Sequence, residues 1–206
     1  MDYQLSFTAA GLCYHETRII AEMLLEDGNW SRVQSKVFDD NLLQKSTVAT
    51  AKREFSEIKN RLSTFTSEQL KAIARADLTE LKLLTLLSCI KAYRLLYDFM
   101  IEVLRTKVQM FDLQILESDW ANFIEAKRQH IPKVGHASEA TLKKIRQVVF
   151  KMLSDADIID DIKTKIIQPP ILNGEFTRLV CVDEPHLLAA FLISDSDIRS
   201  LCEGSR

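Results

Sequence analysis

The chain has 206 residues, a formal net charge of −2, 47% hydrophobic residues and 27% charged residues. These values are typical of one globular domain with at most a small appendage, and they argue against a protein coated in positive charge. Glycine and proline are scarce, with 5 and 4 residues, so we expect long helices joined by short loops rather than a β-sandwich with many turns.

Apolar residues recur at helical spacing through the first part of the chain. A first helix is predicted over about residues 8–26, ending at Gly28, which tolerates the left-handed conformation of a helix C-terminus. Asn29 or Ser31 caps a short second helix, and Ser46 begins a long third helix. The third helix carries a basic face with four candidate phosphate contacts: Lys52, Arg53, Lys59 and Arg61.

The middle of the chain is its most hydrophobic part. Residues 66–69 have the form of a capping box that begins a helix. Residues 77–115 contain no proline or glycine, so two helices with a break near residues 92–94 and one very long helix both fit. The strongest candidate for a membrane span, residues 83–90, is far shorter than the roughly 20 residues that a bilayer requires, so no membrane partner is predicted.

A basic amphipathic helix is predicted over residues 138–153, with Ser138 as its cap. A preceding helix, capped by Ser118, ends at Pro132. The basic helix is followed by a β-prone run at residues 163–167 and then by turn residues, the order of parts in a winged-helix nucleic-acid binder. This region adds seven candidate DNA contacts: Lys143, Lys144, Arg146, Gln147, Lys151, Lys163 and Lys165.

The geometry of the basic helix suits DNA. Lys144, Gln147 and Lys151 are spaced i, i+3 and i+7, so they share one face, on which lysines can contact phosphates and Gln147 a base edge. An ordinary solvated helix face has the same pattern, and both interpretations stay open. The acidic C-terminal part, in which Asp183 is predicted to cap a further helix and residues 194–202 form the last one, contributes nothing to such a face.

Motifs for catalysis are missing from the sequence. It has no phosphate loop, nucleophile elbow or zinc-protease motif, and its adjacent acids are neighbours in sequence that do not face each other across a substrate. The four cysteines, Cys13, Cys89, Cys181 and Cys202, form no CxxC pair. We therefore predict no enzyme, no metal and no cofactor, and reduced thiols in a cytoplasmic protein.

Several stretches of the chain resemble the BrxA family of bacteriophage-exclusion (BREX) systems. The clearest is TLKKIRQVVFKML at residues 141–153. The others are residues 5–12, 22–30, 41–44, 51–53, 57–62, 93–94, 102–105 and 123–127. The resemblance implies an all-helical fold similar to that of NusB. It also implies DNA binding without enzymatic activity, beside a methyltransferase, an ATPase and a phosphatase-like protein.

The sequence thus predicts a mainly all-α protein with an N-terminal helical bundle over 1–130 and a smaller C-terminal module over 138–206. The predicted function is non-enzymatic binding of double-stranded DNA in phage defence. The net charge of −2 is low for a DNA binder, which confines binding to local patches. The alternative is an adaptor that docks other defence proteins without significant DNA binding of its own.

Overall fold

The fold is all-α over residues 3–5, 7 and 10–204, which this computed structural model describes. A π-helical turn over Met100–Arg105 and a 3-10 helix over Pro185–Phe191 interrupt the α-helices. The α-helices are α1 (Tyr14–Asp27), α2 (Trp30–Asp39), α3 (Val48–Leu62), α4 (Ser67–Arg75), α5 (Leu78–Ala92), α6 (Arg94–Phe99), α7 (Thr106–Gln109), α8 (Glu117–His130), α9 (Pro132–Gly135), α10 (Glu139–Asp155), α11 (Gly174–Asp183) and α12 (Asp195–Glu203).

Most helix ends follow the local chemistry of the sequence. Gly28 ends α1 with a φ of 62°, and the side chain of Asn29 accepts hydrogen bonds from the first backbone N–H groups of α2. The capping box of Thr66 is formed, and Ser138 caps α10. The start of α1 was predicted too early, because Cys13 has a left-handed backbone and the helix begins only at Tyr14. Residues 8 and 9 lie outside the described part of the chain.

The hydrophobic middle of the chain has the break that the sequence allowed, but its helices end at Gln109 and not at residue 115 as predicted. The α5 helix ends at Ala92, Tyr93 is extended, and α6 begins at Arg94. Side chains on nearly all sides of α5 are buried, so this helix lies at the centre of the bundle. Among the described residues, no helix is both long and apolar enough to cross a membrane.

A cluster of aromatic rings joins the middle of the chain to α10. The Phe99 ring lies 5.0 Å from that of Trp120 on α8 and 5.8 Å from that of Phe150 on α10. Residues 131–137, which lie between the two predicted units, contain the short helix α9, with Val134 buried. The division into 1–130 and 138–206 remains a prediction.

The predicted β wing is not formed, which corrects the expectation for Lys163 and Lys165. The part of the chain described here contains no β-strand, and Ile166 and Ile167 make only isolated bridges to Gln114 and Ile159. The reason is local, because carboxylates replace strand partners. Asp160 Oδ1 accepts from the N–H of Ile166 (2.8 Å) and Asp161 Oδ1 accepts from the N–H of Thr164 (2.9 Å).

The C-terminal part departs from two further expectations. Asp183 does not cap a helix. It ends α11, where it accepts a hydrogen bond from Gln69 (3.1 Å) and pairs with the lysine of the central helix, Lys91. Cys181 and Cys202, predicted to be reduced, form a disulfide that joins α11 to α12, with their Cα atoms 5.2 Å apart. The two cysteines are 21 residues apart in the sequence, and this spacing gave no indication of the contact.

Candidate nucleic-acid interface

The outer face of α10 presents the longest run of exposed polar side chains among the predicted contacts. Leu142, Ile145, Val149 and Met152 are buried, which turns Lys143, Lys144, Gln147 and Lys151 outward, and all four are exposed. Within the described residues, Lys143 and Lys144 make no ion pair. These two ammonium groups are therefore available to an external anion.

Three other predicted contacts near α10 already have an anionic partner. Glu117 pairs with Arg146 and, at 2.9 Å, with Lys165. The hydrogen bond from Lys165 lowers the pKa of Glu117, and the charges of Arg146 and Lys165 lower it further. Lys151 lies 2.6 Å from Asp155 one turn along the helix. These pairs reduce the positive potential around Lys143 and Lys144.

The second basic face, on α3, is smaller than the sequence indicates. Lys52 and Arg53 are exposed and make no ion pair among the residues described here. Lys59 is half-buried, and its ammonium group lies 5.5 Å from the ring centre of Trp30. A cation over an aromatic face is partly satisfied, although it can still approach a phosphate.

Arg61 is not part of a surface, which corrects its prediction as a phosphate contact. Arg61 is fully buried, with 0% of its surface exposed. Nη1 and Nη2 donate to the carbonyls of Gly11 (2.8 Å), Leu12 (3.2 Å) and Ala10 (3.2 Å), and Nε donates to Tyr93 Oη (3.0 Å). The sequence spacing could have indicated this burial, because Arg61 follows the buried Ile58 by three residues and so lies on the same inward face of the helix.

The C-terminal ends of the two basic helices meet at the segment before α1. The carbonyl of Gly11 accepts from Arg61 of α3, and a Cβ atom on Gly11 would lie 3.8 Å from Asp155 Oδ2 of α10. The unpaired cations lie towards the other ends. At a rise of 1.5 Å per residue, Arg53 is about 12 Å and Lys144 about 16 Å along their helices from this junction.

Three side chains of the types that bind metal ions lie beside the same junction. The ligand atoms of Cys13, Glu16 and Glu54 lie within 4.8 Å of one another. The ammonium of Lys45 lies between the carboxylates, 3.0 Å from Glu16 and 2.8 Å from Glu54. Burial raises the pKa of the Cys13 thiol to about 12, so it stays protonated at neutral pH. A lysine thus already supplies the positive charge that a metal would bring.

Comparison with known proteins decides the family. The model of the BrxA family matches residues 1–181. The chain belongs to the BrxA family. BrxA is a protein of BREX phage-defence systems, and no relative named here carries the name of an enzyme.

Relatives of BrxA type match over most of the chain. "BREX protein BrxA" of Paramagnetospirillum magneticum is 29% identical over 174 residues, which are 84% of this chain and 87% of that protein. The protein of the same name from Bacillus cereus is 26% identical over 83% of this chain and 86% of its own length. That of Escherichia coli O9:H4 is 26% identical over 95% of this chain and 87% of its own length.

One solved structure shows the same fold. An uncharacterized protein from Magnetospirillum magneticum superposes with a TM-score of 0.81 over 92% of this chain and 97% of that chain, at 24% identity. The likeness to NusB remains a prediction. The BrxA family match ends at residue 181, so Cys202, the second cysteine of the disulfide, lies beyond it.

Proposed function

We propose that this BrxA-family chain is a non-enzymatic, double-stranded DNA-binding component of a BREX-type defence system. It acts in the cytoplasm beside the methyltransferase, the ATPase and the phosphatase-like protein. The observation that carries the proposal is the exposure of Lys143 and Lys144, which have no anionic partner among the described residues and lie next to Gln147 on one helix. Lys52 and Arg53 form a second, smaller contact.

The physical case rests on where charge remains free. A lysine that is already paired gains little from a phosphate, because the pair must first be broken, whereas a free lysine releases condensed counterions from DNA. Five of the eleven predicted contacts are exposed cations without an ion pair among the described residues: Lys52, Arg53, Lys143, Lys144 and Lys163. Binding is therefore local, weakly sequence-selective and sensitive to salt.

A salt titration of DNA affinity tests the proposal. The double variant K143E/K144E is expected to bind a mixed-sequence duplex on the order of 10-fold or more weakly than wild type. The slope of log affinity against log salt should become shallower by about 2, since two phosphate contacts are lost. Fluorescence anisotropy between about 50 and 200 mM salt measures both quantities.

The matched control is R178E/R199E, which changes the net charge equally through exposed arginines on α11 and α12. We expect it to bind DNA nearly as wild type does. If K143E/K144E keeps wild-type affinity, or if both double variants weaken binding equally, α10 is not a DNA contact.

Removing the anion that holds two of the paired cations should strengthen DNA binding. E117Q deletes the carboxylate that pairs with Arg146 and Lys165, so we expect a roughly threefold gain in affinity and a steeper salt dependence. E68Q removes the same charge from the pair with Lys71 on α4 and should leave DNA affinity unchanged. A loss of affinity in E117Q would mean that Glu117 positions these residues for binding.

The ion pairs of Arg146, Lys151 and Lys165 favour a second candidate function, the protein–protein adaptor. An adaptor needs no free phosphate contacts. A stable complex of the purified chain with another BREX protein, formed by a chain that has no measurable DNA affinity at low salt, would support this candidate against the first.

A further inference from the structure

Two loops lie side by side at one end of α7 and α10. Residues 110–117 and 160–171 are joined by backbone hydrogen bonds from Ile167 N to Leu113 O (2.8 Å) and from Ile115 N to Lys165 O (3.1 Å). The ion pair between Lys165 and Glu117 adds a side-chain link. We call the exterior of these two segments the paired-loop surface.

The paired-loop surface concentrates exposed apolar side chains. Phe111 is 94% exposed and Ile171 is 93% exposed, and Met110 is 73% exposed. Twelve large apolar side chains are exposed among the residues described, and seven of them lie here: Met110, Phe111, Leu113, Leu116, Ile162, Ile166 and Ile171. Single exposed apolar residues are ordinary, but a concentration of them in two adjoining loops marks an interaction site.

Phe111 has a backbone conformation that argues against a purely structural role. Its φ is 57°, in the left-handed region that favours glycine and is unfavourable for a bulky side chain. It follows the end of α7, where its N–H donates to Val108 O and the N–H of Asp112 donates to Lys107 O. Glycine would end this helix more easily, and an exposed ring adds nothing to the core. The stability of the fold therefore explains neither the bulky residue at this backbone conformation nor the exposure of its ring.

The charges that stay unpaired around these apolar residues, among the residues described, are two carboxylates and one ammonium group. The two segments contain four acids, Asp112, Glu117, Asp160 and Asp161, against Lys163 and Lys165. Glu117 pairs with Arg146 and Lys165, and Asp112 pairs with Lys107, whereas Asp160 and Asp161 make no ion pair within the described chain. Hydrogen bonds from the Thr164 hydroxyl and backbone N–H lower the pKa of Asp160 and of Asp161, respectively. Both carboxylates therefore stay ionised at neutral pH.

We propose that the paired-loop surface is a protein-docking site. Its occupant is a polypeptide segment that presents large apolar side chains flanked by lysine or arginine. The apolar residues of the segment cover Phe111, Ile171 and Met110, and its basic residues face Asp160 and Asp161. Aromatic anchors within a polar rim are the usual source of energy in such interfaces. The residues that would hold the segment do not include Lys52, Arg53, Lys143 or Lys144, so the proposal stands whether or not the chain binds DNA.

Three synthetic peptides test the chemistry of the occupant. The first is an amphipathic peptide of leucine and lysine, the second has glutamate in place of lysine, and the third has serine in place of leucine. Fluorescence anisotropy should show that the leucine–lysine peptide binds at least about tenfold more tightly than either of the others, because only it satisfies both the apolar residues and the acids.

Variants of the protein locate the binding. F111G removes the ring and suits the left-handed backbone, so the fold is retained, and the leucine–lysine peptide should bind about tenfold more weakly. I171S should act in the same direction. V182S is the matched control, because Val182 is 69% exposed on α11, away from the two loops, and it should leave binding unchanged.

Two results would overturn the proposal. The first is equal binding of the leucine–lysine peptide to wild type, F111G and I171S. The second is self-association of the purified chain that F111G abolishes in analytical ultracentrifugation, because the surface would then be occupied by a second copy. In either case the DNA affinity of F111G, measured in parallel, reports separately on α10.

Discussion

Replacing Arg61 with alanine is expected to lower the free energy of unfolding by about 3 to 5 kcal/mol. The guanidinium is fully buried and donates to three consecutive backbone carbonyls, those of Ala10, Gly11 and Leu12. No other described donor replaces it at these carbonyls, so its loss leaves buried acceptors unsatisfied. It also removes the partner of Tyr93 Oη, which donates in turn to Glu57.

Urea unfolding followed by circular dichroism measures this effect. R61K should also be destabilised, because an ammonium group cannot reproduce the fork that reaches both the carbonyls and Tyr93. R53A is the control on the same helix, since Arg53 is exposed and unpaired among the described residues, and it should change stability by no more than about 0.5 kcal/mol. A loss in R61A no larger than that in R53A would contradict the structural role assigned to Arg61.

Reversing the four cations of α3 and α10 that are exposed and unpaired among the described residues is expected to reduce DNA affinity on the order of a hundredfold or more. The variant is K52E/R53E/K143E/K144E. Each pair alone should lose on the order of tenfold if both helices contact the same duplex. The losses should then add as free energies, because the two pairs share no partner.

The same anisotropy titration shows whether both helices contact DNA or only one of them does. If the quadruple variant binds no more weakly than K143E/K144E, then α3 makes no contact and the interface is α10 alone. Wild-type affinity in the quadruple variant would exclude both helices and favour the adaptor. The thermal unfolding of all three variants should match that of wild type, since none of the four side chains is buried.

Much of the fold is predictable from sequence because helix ends and amphipathic stripes depend on nearby residues. Asn29, Thr66 and Ser138 cap the helices that their positions indicate, and the buried stripe of α10 matches the spacing of Leu142, Ile145 and Met152. The break between α5 and α6 falls where two alternatives were open. In each case the hydrogen bond or the periodicity lies within one or two turns.

The candidate site was harder to predict because the availability of a cation to DNA depends on whether an acid from a distant segment pairs with it. Arg146 and Lys165 share Glu117, which is 29 and 48 residues away in the chain. Nothing near either residue indicates that pairing. The prediction of a β wing was wrong for a related reason. Asp160 and Asp161 accept hydrogen bonds from backbone N–H groups that would otherwise pair with a neighbouring strand.

The sequence by itself determined the family, through stretches that resemble BrxA proteins. It also determined the all-helical class and which helix faces carry positive charge, because these depend on composition, capping and spacing over short distances. Only the tertiary structure decided which of those charges are free. It buries Arg61 under the segment before α1, pairs three other cations and joins Cys181 to Cys202. The physical reason is that ion pairs, disulfides and burial form between residues that chain folding brings together, and their distance along the sequence carries no sign of it.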